Sequence, residues 1–135
     1  MLMVESKTRI LLANSQSKEI GKIGLFDLVK TTDDRIRPVK AIFQRDVDSI
    51  LDITAYGKHN LKCTWDQVIQ TSRGLILAKD LTLEDAVILK LVGGVVPVSH
   101  QVSKIKTREF PYKVFSLEIE EKLPYMGNFF CLIGL

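Results

Sequence analysis

The sequence predicts an all-β protein built from many short antiparallel strands, with little helix. Segments rich in Val, Ile and Leu recur along the chain, and turn-forming residues separate them roughly every ten residues. No long stretch shows the sustained apolar spacing of an amphipathic helix. Short strands with frequent turns are typical of interwoven β folds, in which most neighbours pair as hairpins.

The first half of the chain divides into strands at its turn residues. "TRILLA" is a buried strand that ends at the turn "NSQS", and "DLVKTT" precedes the turn "DDRI". The stretch "RPVKAIFQRDVDSILDITAYG" predicts two strands, one on each side of Arg45 and Asp46. Further strands are expected at "HNLKCT", "VIQTS" and "GLILA".

The second half is less regular. "LTLEDAVILKLV" fits a helical turn as well as a strand, whereas "VSKIKTREFPYKVFSLEIEE" alternates like two strands. "NFFCLIGL" is apolar enough to be an inner strand, because it would be prone to aggregation on an exposed edge. No internal repeat is visible, and Gly93 with Gly94 marks the one plausible flexible joint.

Composition narrows the class of protein. A chain of 135 residues, 46% hydrophobic and 26% charged, predicts one folded domain spanning residues 1–135. The net charge of +3 is too mild to indicate a nucleic-acid-binding face. Cys63 and Cys131 lack metal-ligand spacing, so we expect buried thiols and neither a metal nor a cofactor.

The N-terminal stretch and the overall hydropathy predict a cytoplasmic protein. Charges at Glu5, Lys7 and Arg9 interrupt what would otherwise be the apolar part of a signal peptide. No stretch approaches the ~20 apolar residues that a membrane-spanning helix needs. We therefore expect no membrane partner.

One stretch, "CTWDQVIQTSRGLILAKDL", carries a motif pattern. It resembles an internal block of the Hint superfamily, which includes inteins, hedgehog-type autoprocessing domains and bacterial intein-like domains. In that block a strand ending in Thr-x-x-His leads to a threonine, Arg-Gly, Ala and a Leu-x-x-Gly-Asp turn. The matching positions are Thr64, Thr71, Arg73, Gly74, Ala78, Leu81 and Asp85, with Glu84 in place of the glycine.

The resemblance extends over nearly the whole chain in the right order. "TRILLANSQSKEIGKIGLFDLVKT" is similar to the first block of the family, and "KVFSLEIEEKLPYMGNFFCLIGL" is similar to its last block. No single match is specific, but their order and spacing agree. The resemblance implies a flat, horseshoe-like all-β domain of mini-intein size, with both termini near its centre and no inserted endonuclease.

The family's first reactive positions are altered in this chain. The resemblance places the first nucleophile, a Cys or Ser, at Met3, whose thioether cannot carry out an acyl shift. Thr64 is kept, but Gln67 stands where the family histidine protonates the leaving nitrogen. Glutamine has no protonation equilibrium near neutral pH, so we expect it to bond to backbone.

The last reactive positions are altered as well. Ser116 follows the aromatic of the last block and is expected to be a strand serine, since no base accompanies it. Gly134 and Leu135 occupy the place of the terminal His-Asn pair, and neither can cyclise. We expect Asn128 to form a turn. We expect both histidines to be exposed and not catalytic, with His59 in a hairpin turn and His100 in the loop after Pro97.

These substitutions give three hypotheses. The first is a splicing-inactive Hint domain, kept as a structural or interaction module with an unknown protein partner or flanking host segments. The second is an active or engineered-inactive mini-intein or autoprocessing domain, able in its active form to perform an acyl shift and peptide-bond cleavage. The third, a nucleic-acid-binding β-barrel, rests only on the thin basic and aromatic pattern of "SKIKTREFPYK".

Overall fold

The computed structural model describes residues 2–90 and 98–134, and these residues form an all-β fold. Gly93, Gly94 and Leu135 lie outside the described residues. Three short 3-10 helices are present: Ile20–Lys22, Ala78–Asp80 and Glu120–Lys122. Twelve strands occur in the described ranges: β1 Val4–Glu5, β2 Arg9–Leu11, β3 Ser17–Glu19, β4 Leu28–Lys30, β5 Ile36–Ala55, β6 His59–Cys63, β7 Val68–Thr71, β8 Gly74–Leu77, β9 Ala86–Leu89, β10 Val98–Ile119, β11 Tyr125–Gly127 and β12 Phe130–Ile133.

All of these strands pair antiparallel within one hydrogen-bonded array. The order is β3-β2-β11-β12-β7-β9-β10-β1-β6-β5-β4, with β8 paired to β7 and β10 also paired to β5. The segment predicted to be an inner strand is β12, which lies between β11 and β7. That prediction is confirmed, and the apolar run "FCLI" is covered on both sides.

Two strands are much longer than the sequence predicts. β5 runs through Arg45 and Asp46 as one strand of 20 residues, and β10 is one strand of 22 residues. The prediction of two strands in each segment was therefore wrong. The two strands pair with each other along their lengths. Their register shifts between Glu109 and Tyr112, where the pairing is irregular. This arrangement also places His100 in β10, not in a loop as predicted.

A repeated unit is present that the sequence did not reveal. β2, β3, a 3-10 turn, β4 and the long β5 follow one another in the first half, and β7, β8, a 3-10 turn, β9 and the long β10 follow in the second. Asp27 closes the first turn by accepting from Gly24 N at 2.8 Å. Asp85 closes the second by accepting from Thr82 N at 2.9 Å. The two halves share an Asp-x-Val sequence, Asp27 to Val29 and Asp85 to Val87, but the match is too short to reveal the repeat by inspection.

The core consists of one large apolar cluster and one small one. The large cluster joins the inward faces of most strands, including Ile10, Ile69 and Phe130. The small cluster contains Met3, Ile50 and Val114. Within residues 2–90 and 98–134, no helix is long and apolar enough to cross a membrane.

The two cysteines are buried free thiols, as predicted. Burial raises the pKa of both, and the pKa of Cys131 rises to about 11. A thiol whose pKa is raised in this way is a poor nucleophile at neutral pH. Neither cysteine therefore replaces the reactive residue that the resemblance places at Met3.

Candidate functional site

The site begins where Met3, just before β1, meets Thr64, just after β6. Met3 N donates to Thr64 Oγ1 at 3.0 Å, and Thr64 N donates to Met3 O at 2.8 Å. Thr64 Oγ1 also lies 3.2 Å from Met3 O and 2.8 Å from Asp66 Oδ1. The structure thus brings together two of the positions that the resemblance identifies, through backbone and hydroxyl groups.

The Met3 side chain has no reactive role in this arrangement. It is 1% exposed and packs with Ile50 and Val114 in the small apolar cluster. A thioether sulfur is a weak acceptor and not an acyl-group nucleophile under these conditions. At the position where the resemblance places the nucleophile, the chain therefore has an apolar core residue.

Gln67 joins this region to the last strand. It is fully buried, and its Nε2 donates to Val68 O and to Ile133 O, each at 2.9 Å. This agrees with the expectation that the glutamine bonds to backbone. Met3 and Ile133 consequently both bond to the short segment 64–67. This contact brings together the two stretches that resemble the first and last family blocks.

Beside this segment lie two buried hydroxyl groups, on Ser116 and Tyr125. Ser116 lies in β10 next to Phe115, the partner of Val4 in β1, so it is a strand serine as predicted. Burial raises the pKa of Tyr125. Tyr125 was not identified from the sequence, where it is one aromatic among several in "YMGNFFCLI".

Three buried polar atoms have no hydrogen-bond partner within the described part of the chain: Gln67 Oε1, Ser116 Oγ and Tyr125 Oη. A buried polar atom without a partner costs roughly 1–3 kcal/mol. Each such atom in a folded protein calls for an explanation, because most buried polar groups are paired. Neutral amide and hydroxyl groups of this kind offer hydrogen bonds but no proton donor titrating near pH 7.

Gly134 is packed so closely that no larger residue fits on this backbone. A Cβ at this position would lie 2.2 Å from Leu117 O and 2.7 Å from Tyr125 Cε1. A residue with a side chain at Gly134, where the resemblance places one member of the terminal His-Asn pair, therefore requires β10 or β11 to move. Leu135, the other terminal position, lies outside the described residues.

The remaining matched positions form a structural brace. Arg73 Nε donates to Asp85 Oδ1 at 2.6 Å and its Nη2 donates to Asp85 Oδ2 at 3.1 Å. Thr71 Oγ1 donates to Gly74 O at 2.7 Å, and Gly74 has a φ of 107°, which favours glycine. These residues fix the β7–β8 hairpin against the turn before β9.

The site opens to solvent on one side through a pocket of about 460 Å³. Thr64, Asp66 and the exposed Trp65 line it from one side, and Arg45 and Asp48 of β5 line it from the other.

The two histidines lie elsewhere. Their rings contact each other with centroids 5.6 Å apart, and they extend a row of aromatic rings from Tyr56 to Phe129. Both histidines are half-buried, so the prediction that they are exposed was wrong. The cause is that the β5–β6 turn folds back onto β10. Among the described residues, no group of three or more His, Cys, Asp or Glu side chains is arranged to hold a metal ion.

Comparison with known proteins gives a consistent result at the level of the fold. No family model matches the sequence, and no curated protein matches it either. Solved structures do match over nearly the full chain. A bacterial intein-like domain from Clostridium thermocellum is 22% identical with a TM-score of 0.81, covering 100% of this chain and 99% of that one.

Two inteins are also similar to this chain in fold. A DnaB intein from Synechocystis sp. PCC 6803 is 13% identical with a TM-score of 0.85, covering 98% of each chain. The gp41-1 intein is 18% identical with a TM-score of 0.78, also covering 98% of each chain. At these identities the likeness concerns the fold alone, and it extends from one end of the described chain to the other. The protein has the intein-like, all-β Hint fold.

Proposed function

We propose that residues 1–135 form a single Hint domain that does not splice and is kept as a folded structural or interaction module. The observation that carries this proposal is Met3. Thr64 holds its backbone as the family mechanism requires, yet its side chain is buried in an apolar cluster. On this proposal the vestigial family positions are Met3, Thr64, Gln67, Ser116, Gly134 and Leu135.

Each step of the splicing chemistry lacks the side chain that it needs. An amide bond is not broken without a positioned nucleophile, and Met3 supplies none. The leaving nitrogen needs a proton, and Gln67 already donates both amide hydrogens to carbonyl groups. The terminal cyclisation step needs the His-Asn pair, but Leu135 has no amide side chain and Gly134 leaves no room for a histidine.

The test is a fusion with one reporter protein before Met1 and another after Leu135. We expect the fusion to stay intact over days, with or without added thiol, as followed by gel and intact mass. Cleavage at either junction, or a ligated product of the two reporters, would contradict the proposal. A fusion with Thr64→Ala serves as the control for non-specific proteolysis.

The second candidate is an active or engineered-inactive mini-intein or autoprocessing domain, and the retained Thr64–Met3 contact favours it. It predicts that Met3→Cys with Gln67→His restores thiol-dependent cleavage before residue 3. This step does not need a side chain at Gly134, so steric crowding there cannot mask the result. Met3→Ala with Gln67→His is the matched control, and inertness of both variants argues against this candidate.

We also infer a cytoplasmic location. The chain buries a continuous apolar core without a disulfide, and both thiols lie inside the protein. Fractionation of cells expressing a tagged chain tests this inference. Recovery of the tagged chain from a secreted or membrane fraction would contradict it.

A further inference from the structure

A continuous groove lies across strand ends, lined by residues of the β1–β2 connection, the β5–β6 turn and the β11–β12 turn. It consists of a pocket of about 350 Å³ and a neighbouring pocket of about 470 Å³. Asn60 and Asn128 line both pockets, so the two are adjacent. We call this feature the basic groove, because its charged lining is mostly cationic.

Five cationic side chains line the basic groove. Lys7, Lys62 and Lys113 line the larger pocket, and Arg9 and Lys58 line the smaller one. The structure gives no ion pair for Lys7, Lys58 or Lys62 within the described residues. Lys113 lies 3.4 Å from Asp46 in an exposed pair, and Arg9 lies 3.9 Å from Glu19. Exposed pairs at such distances exchange readily for another anion.

One carboxylate lines the groove, and it is already engaged. Glu5 accepts from Ser6 Oγ and from Lys7 N, both at 3.0 Å. Both oxygens of this carboxylate are therefore hydrogen-bonded to the local turn. The groove retains an excess of positive charge that is suited to an anionic chain.

The smaller pocket adds an apolar subsite. Leu11, Met126 and Phe129 line it, and Phe129 packs edge-on against His59 with centroids 6.0 Å apart. Phe129 has a φ of 72°, a left-handed conformation that favours glycine. A bulky aromatic residue is held there at a conformational cost, and such strain is commonly kept where the side chain has a role.

The amides of the groove do not favour nucleic-acid recognition. Asn128 Oδ1 accepts from Arg9 N, and its Nδ2 donates to Asn60 O. Asn60 Nδ2 is directed to Asp52. These groups are therefore committed to the fold and are not available to read base edges. A pocket with an apolar lining accepts an aliphatic or aromatic side chain instead.

We propose that the basic groove binds an acidic peptide segment, with carboxylates at Lys7, Lys62 and Lys113 and one apolar side chain in the pocket beside Phe129. This proposal rests on the interaction-module function and specifies the chemical class of its partner. A chain with alternating acidic and apolar residues matches both halves of the groove. The binding needs no chemistry at Met3, so it is testable separately from processing.

The test is fluorescence anisotropy of the full chain with short labelled peptides that carry Glu and Asp on both sides of a Phe or Leu. Control peptides replace the acids with Gln and Asn, or the apolar residue with Ser. A single-stranded oligothymidylate is the nucleic-acid probe. We expect saturable, salt-sensitive binding of the acidic peptides and loss of binding with both control peptides.

Matched variants locate the binding. Lys7→Gln, Lys62→Gln and Lys113→Gln together are expected to weaken peptide binding by roughly tenfold or more. Lys40→Gln, Lys104→Gln and Lys106→Gln together remove the same charge from outside the groove and are expected to leave the Kd unchanged. An equal effect of the two triple variants would overturn the proposal.

Phe129→Gly separates binding from stability. Glycine relieves the left-handed backbone but loses the packing of the ring on His59, so the unfolding temperature is expected to change little while peptide affinity falls. Unchanged peptide affinity in this variant would overturn the apolar subsite. The whole proposal would be overturned if no acidic peptide bound, or if the oligothymidylate alone bound. The inactive-module function would still stand in that case if the reporter fusion stayed intact.

Discussion

Met3 and Thr64 hold one another by reciprocal hydrogen bonds across 61 positions of sequence, with Met3 N bonded to Thr64 Oγ1 and Thr64 N bonded to Met3 O. The contact fixes the start of β1 against the end of β6, where Val4 pairs with Cys63. Its energetic contribution is open to measurement.

Thr64→Val is expected to destabilise the protein by about 1–3 kcal/mol, because the buried Met3 N–H loses its acceptor while the shape is kept. Urea unfolding of the variant measures this loss. Thr64→Ser keeps the hydroxyl and should cost clearly less. Equal losses for the two variants would mean that the methyl group contributes as much as the hydrogen bond.

Gly134→Ala is expected to destabilise the protein by roughly 1–3 kcal/mol, because the new methyl group overlaps Leu117 O and the Tyr125 ring. Thermal unfolding measures the effect. Gly24→Ala is the matched control, since its Cβ would meet only Asp27 Oδ2 at 3.8 Å. A neutral Gly134→Ala would show that the last residues move aside at little cost and that this position accommodates a side chain.

Asp85→Ala is expected to cost more stability than Asp27→Ala at the equivalent turn. Both lose a bond from a backbone N–H, but Asp85 is more buried and also accepts two bonds from Arg73. Hydrogen bonds to charged groups contribute about 1.5–3 kcal/mol. Chemical denaturation of the two variants side by side gives the comparison, and a larger loss at Asp27 would contradict it.

The pH dependence of the same turn has a defined sign. The Arg73 side chain holds the pKa of Asp85 below its ordinary value of 3.8. A carboxylate with a lowered folded-state pKa contributes stability that is present above 3.8 and is lost as the pH falls through the folded-state value. Asp85→Ala should therefore reduce the loss of stability on acidification below that pH.

Sequence patterns predicted the fold well wherever one face of a strand is buried. β7 has one such face, β2 and β12 are buried along most of their lengths, and each strand was identified from its apolar residues. The middle of β5 near Arg45 is exposed on both faces, so alternation vanished there although the strand continues. The strand is held by pairing with β10, and pairing over a distance of this kind leaves no local signal.

The sequence predicted only part of the site, for a related reason. The resemblance located Met3, Thr64 and Gln67 because motif positions keep their spacing. Tyr125 acts through its packing on Gly134, which no local pattern encodes. The lysines of the basic groove come from separate connections and are brought together only by the fold.

Acidification is expected to destabilise the protein through His59. Burial and the charges of His100 and Lys58 lower the pKa of His59 from its ordinary value of 6.5. The unfolded chain therefore takes up the proton first as the pH falls, so stability decreases below about pH 6.5 and is fully present above it. Unfolding temperatures measured from pH 7.5 down to 5.5 should show this slope, and His59→Gln should flatten it. NMR titration of the two imidazoles supplies the direct check, and a His59 pKa above 6.5 would reverse the expected sign.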